Sequence, residues 1–153
     1  MLMIRAWLFL HVLGVVVWVG GMFFAYMALR PAAAQLLEPP QRLSLWRGTL
    51  SRFFLWVWIA VILILVSGLA LVRLAGGLGQ TPWHVHTMFA IGLVMMALFG
   101  HVYFAPFRRL RRAVAAGDWV GAAPALAQIR RLVGTNLLLG LLVIAVALLG
   151  RPV

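Results

Sequence analysis

Four histidines hold most of the reactive chemistry available to this 153-residue chain: His11, His84, His86 and His101. There is no cysteine, and the only carboxylates are Glu38 and Asp118. Disulfides and thiolate metal sites are therefore excluded. His11 makes the strongest demand. It lies inside an uncharged apolar run, residues 6–29, whose one other ionisable side chain is Tyr26. An imidazole inside a membrane-spanning helix is costly, tends to face the bundle interior, and marks a functional site by default. Neutral imidazole is a ligand for copper, zinc and haem iron, whereas a methionine thioether selects Cu(I). A His/Met set lacking thiolate and carboxylate suits copper better than zinc. It equally suits haem b, held by two histidines from facing helices.

The elements that must position these groups are transmembrane helices. The chain is 65% hydrophobic, with a mean hydropathy of +1.09, against roughly 45–50% apolar for a soluble domain. Four apolar runs, at about 6–29, 53–74, 83–104 and 132–149, are each long enough to cross ~30 Å of hydrocarbon. The first is too long for a cleaved signal and no small-residue cleavage site follows it, so it is expected to remain. The expected fold is all-α: one integral membrane four-helix bundle over residues 1–153. Arg30-Pro31 and Pro39-Pro40 punctuate the first loop, Gly76-Gly77, Gly79 and Pro82 the second, and Pro106 opens the third.

The net charge of +11 comes from thirteen arginines and no lysine, a composition that points to a bacterial source. Loop one carries Arg30, Arg42, Arg47 and Arg52; loop three carries Arg108, Arg109, Arg111, Arg112, Arg130 and Arg131. Only Arg5, Arg73 and Arg151 lie on the other side. Ten against three places loops one and three in the cytoplasm and both termini on the outer, periplasmic side of a bacterial inner membrane. Because the arginines flank spans, their partners are anionic lipid headgroups rather than nucleic acid. Asp118 is expected to cap a short amphipathic helix in loop three, with Ala122, Leu126 and Ile129 along a membrane-facing side.

Helical projection assigns faces. At ~100° per residue, His11, Trp18 and Met22 fall within about 20° of one another, with Gly14 beside them. His84, Met88 and Met95 fall within about 40°, while His86 shares a separate stripe with Ala90, Leu93 and Ala97. His84 and His86 point about 160° apart, so one of them faces His11; spacing leaves open which. His101 is roughly 22 Å deeper than His86 and has Asn136 as its expected polar neighbour. Gly14, Gly20 and Gly21 allow close helix approach. A ligating histidine needs its second ring nitrogen held, and Ser67, Thr87, a backbone carbonyl or water is available for that.

The segment Leu10-His11-Val12-Leu13-Gly14, continuing through Trp18-Val19-Gly20-Gly21-Met22 to Arg30-Pro31-Ala32, resembles the first helix of the copper resistance protein D family. Trp83-His84-Val85-His86 and Tyr103-Phe104-Ala105-Pro106-Phe107-Arg108-Arg109-Leu110 are similar to its short single-domain members. The resemblance implies copper handling at the inner membrane. The first helix is also similar to that of the four-helix membrane protoporphyrinogen oxidases, in which a histidine at the position of His11 is implicated in haem binding. That family's third-helix motif includes a lysine, and this chain has none. Three readings follow, the third being a membrane interaction or assembly subunit that uses its histidines structurally. In the first, the protein binds and transports or handles copper through His11 and His84 or His86, with Met22, Met88, Met95, His101 and Asn136 as secondary candidates. In the second, it is a haem-b protein for electron transfer or porphyrinogen oxidation. A periplasmic copper or redox partner and a homo-oligomer are compatible with either.

Overall fold

The computed structural model describes residues 1–150; Arg151, counted above among the outer arginines, lies outside them. The described residues are helical almost throughout. α1 (Leu2–Phe24) continues through a π-helical turn, Ala25–Leu29, into α2 (Arg30–Leu36). α3 (Pro39–Leu74) leads through a 3₁₀ turn at Leu78–Gln80 to α4 (Trp83–Phe104). α5 (Pro106–Ala115) and α6 (Trp119–Leu149) complete the chain. Four stretches are long and apolar enough to span a membrane: Leu2–Leu36, Pro39–Leu74, Trp83–Ala115 and Trp119–Leu149. The protein is thus an all-α, four-span membrane bundle. Its surface fits a lipid environment, since Phe9, Val16, Phe23, Leu55, Ile62 and Leu138 all stand exposed, where no water-driven burial is needed.

Several boundaries differ from the sequence expectation, each for a local reason. Arg30-Pro31 does not end the first helix. Pro31 has no N–H to offer the preceding turn, and the helix absorbs the defect by widening into the π turn over Ala25–Leu29. Pro39 and Pro40 open α3, where a missing N–H costs nothing. The first loop therefore shrinks to Leu37-Glu38. At the far end of α4 the chain bends at Ala105 (φ −111°, ψ −86°), immediately before Pro106. The amphipathic helix of the third loop is α5, upstream of Asp118. Asp118 does act as a cap, accepting a hydrogen bond from the Gly121 N–H at 2.8 Å. What it caps is α6, which runs unbroken to Leu149. Ala122, Leu126 and Ile129 do not face the membrane. They are buried in the core cluster that also holds Phe107, Leu110 and Val114 of α5, so the apolar face of α5 is covered by α6.

α1 packs along α3 and α4 along α6, two antiparallel hairpins joined where α6 also meets α1 and α3. Gly14 and Gly21 make the first pairing close: a Cβ at Gly14 would meet Ile64, and one at Gly21 would strike the Phe53 ring. Gly20 plays no such part, because nothing lies within 4 Å of its missing Cβ. Gly140 seats α6 against Val19 of α1 and Met95 of α4. Towards the arginine-rich end, Phe54, Trp58, Phe99, Tyr103 and Phe107 form an edge-to-face aromatic core, with Phe54 and Phe107 centroids 4.8 Å apart. The opposite end is less tightly filled, and His11, His84 and His86 lie there.

Candidate metal or cofactor site

Between α1, α3, α4 and α6 a cavity of about 530 Å³ opens at the histidine end of the bundle. His11 and His84 both line it, together with Met88, Met95 and Met96. The remaining wall is almost wholly aliphatic and aromatic, including Leu8, Val15, Trp18 and Ile64.

His11 is held from α3. Its Nδ1 lies 3.0 Å from the Oγ of Ser67, a fully buried residue. A serine hydroxyl has one proton to give. Ser67 directs it to the backbone carbonyl of Leu63 at 2.5 Å, with the Ile64 carbonyl 3.2 Å away. The contact with His11 is therefore one in which Nδ1–H donates and Ser67 Oγ accepts. That assignment fixes the neutral tautomer and leaves the Nε2 lone pair free. Gly68 completes the seat, because a Cβ there would come within 3.3 Å of the imidazole Cε1. The ring lies against bare α3 backbone.

His84 comes from the first turn of α4, after Pro82. It is 8% exposed, and among the described residues its buried Nδ1 has no hydrogen-bond partner. Burial is completed from the far end of the sequence: a Cβ on Gly150 would collide with the backbone-proximal atoms of His84. An imidazole nitrogen left bare in an apolar wall loses hydration without return. A bound ligand would supply the missing partner.

Depth is set by a shared layer. Val19 and Met95 both abut Gly140, and α1 and α4 run in the same direction. His11 is eight residues above Val19, roughly 12 Å, and Met88 is seven above Met95, roughly 10 Å. His84, eleven above Met95, is at roughly 16 Å. His11 and Met88 thus share a level, with His84 about 4 Å nearer the end of the bundle. The donor set is two imidazoles and thioethers, with no carboxylate or thiolate. Among the described residues no three His, Asp or Glu side chains cluster, so a metal here would draw its further donors from methionine. That is a soft set, suited to Cu(I).

The other candidates separate from this group. His86 is exposed, with Nε2 3.3 Å from Thr81 Oγ1 at the surface. Ala90, Leu93 and Ala97, on its stripe, are exposed as well. Of the two neighbouring histidines, His84 is the one that turns inward. Met22 is 2% exposed but belongs to the packed core rather than to the cavity wall. His101 is exposed on α4 and does not pair with Asn136. The Asn136 Nδ2 instead donates to the Met95 carbonyl at 3.3 Å, and its buried Oδ1 has no partner among the described residues. The pairing fails because Asn136 faces the α4 surface that carries Met95 and Phe99, whereas His101 points away from it. Gly68 and Gly150 were missed in the sequence. A lone glycine in an apolar run carries no signal of what its absent side chain makes room for.

The family model described as "Copper resistance protein D" matches residues 47–149. The matched region takes in His84, the methionines of α4 and Ser67; His11 lies before it. No curated protein and no solved structure matches the chain.

Proposed function

The chain belongs to the copper resistance protein D family, and on that premise we propose that its cavity binds copper in transit or in store at a bacterial inner membrane. One observation carries the reading: His11 and His84, 73 positions apart in the chain and on different helices, line one cavity with three methionines. His84 Nδ1, without a partner among the described residues, and the free His11 Nε2 are the first donors, and Met88, at the level of His11, is the nearest thioether by depth. Cu(I) would be the favoured state, since imidazole and thioether together stabilise it. The metal is cargo or resident ion rather than a redox catalyst in this reading, and no reaction is assigned to it.

The size of the cavity favours a second reading. About 530 Å³ is far more than one ion occupies and falls within the ~300–1,000 Å³ of cofactor pockets. A haem b between His11 and His84 would use the same two nitrogens and an apolar wall. The two readings part on one sample. Protein purified from membranes is taken for elemental analysis and an absorption spectrum, oxidised and reduced. The copper reading predicts near-stoichiometric copper on loading with Cu(I) and no Soret band. A Soret band with sharpened visible bands on reduction, and no copper uptake, would replace it with haem.

A further inference from the structure

At the opposite end of the bundle lies a second cavity, about 400 Å³, lined by Arg47, Arg108, Arg111, Arg112 and Ala115. We propose that it is a phosphate site, built by α3 and α5 together, for a phosphate-bearing anion at the membrane surface. This goes beyond a basic loop near headgroups, because one of the four cations comes from a different helix and the other three stand on a single face of α5 whose orientation is fixed. Arg108, Arg111 and Arg112 stand at i, i+3 and i+4 and so share one face of α5. That face is fixed by the opposite one: Phe107, Leu110 and Val114 are buried in the core. Arg111 also lies over the Phe107 ring at 5.8 Å, which restrains its guanidinium. Arg109 points elsewhere and donates to Gln128 Oε1 of α6 at 2.6 Å.

Four guanidinium groups around one hollow repel one another unless an anion joins them. The described residues supply none there. The chain's two carboxylates are Glu38 and Asp118; neither lines the cavity, and Asp118 is engaged at the start of α6. Guanidinium forks match phosphate oxygens in geometry as well as charge. The volume exceeds that of a bare phosphate and admits a phosphorylated headgroup, and α5 follows directly on the span of α4. The source is either such a lipid or soluble phosphate.

The full-length protein in non-ionic detergent is titrated with dioctanoyl phosphatidic acid, with dioctanoyl phosphatidylcholine and with sodium phosphate, and Kd is read by thermophoresis. The expected result is saturable phosphatidic acid binding, with Arg47→Gln weakening it about tenfold and Arg109→Gln leaving it within about twofold. Arg47→Lys, which keeps the charge and loses the fork, should fall between. Competition by millimolar phosphate assigns the site to a soluble anion; its failure to compete assigns it to the lipid. Non-saturable binding, or equal weakening by Arg47→Gln and Arg109→Gln, means diffuse surface charge and overturns the proposal.

Discussion

Ser67→Ala tests how the cavity is prepared for a ligand. Ser67 is wholly buried, and its Oγ accepts from His11 Nδ1 at 3.0 Å. Alanine removes that acceptor from beside the half-buried imidazole N–H. The unpaired donor costs about 1–3 kcal/mol, which the ring can recover only by rotating or by changing tautomer. Either response spoils Nε2 as a ligand. Loss of such a supporting partner typically weakens metal binding by about 10–100-fold. The fold itself should suffer little, because the Leu63 carbonyl that loses the serine hydroxyl keeps its place in the α3 backbone ladder. Competition with a Cu(I)-selective chelator gives the copper Kd, and a thermal melt gives stability. The expected outcome is at least tenfold weaker copper with a small change in melting. Ser51→Ala, which removes a hydroxyl bonded to the Arg47 carbonyl at an exposed site on the same helix, serves as the control. Unchanged affinity in Ser67→Ala, alongside a large loss in His11→Ala, would show that the serine does not orient the imidazole.

Three further outcomes follow from the packing. Gly140→Ala places a Cβ 2.9 Å from Val19 Cγ2 and 3.2 Å from Met95 Cε, so it should destabilise the bundle by about 1–3 kcal/mol, read as a lower melting temperature. Asp118→Ala removes the acceptor for the Gly121 N–H and should cost about 1 kcal/mol; a melt unchanged within error would mean the α6 start needs no cap. A periplasm-active reporter fused at the C-terminus should be active, as the arginine asymmetry requires; activity only from a cytoplasmic reporter would invert the bundle.

Hydropathy and helical projection carried the fold a long way. Four apolar runs became four spans, and of the inward stripe Gly14, Trp18 and Met22 are buried while His11 is half-buried against the cavity. The stripe of His84, Met88 and Met95 likewise turns towards the interior, which decides between His84 and His86. Periodicity could not resolve that choice, because both stripes are equally apolar; the decision rests on which one meets α6. Helix ends were least legible. Pro31 reads as a break, yet a helix in an apolar setting keeps its backbone bonded by widening into a π turn rather than exposing it. Asp118 was legible as a cap, but not the length of the helix it opens. The His101–Asn136 pairing failed because depth alone was used. The two residues share a level near one end, but their faces differ, and Asn136 finds a backbone carbonyl instead. The seat of His11 was partly legible, since Ser67 was among the few hydroxyls within a span. Gly68 and Gly150 show only once the helices are set side by side.

The central claim is that one ligand is held jointly by His11 and His84. Copper stoichiometry of the purified protein, measured after Cu(I) loading and chelator washing, tests it most directly across single alanine variants of the four histidines. The account predicts that His11→Ala and His84→Ala each lose bound copper, while His86→Ala and His101→Ala, whose side chains lie exposed outside the cavity, retain it. Full copper in His11→Ala, or copper lost from His101→Ala alone, would contradict it.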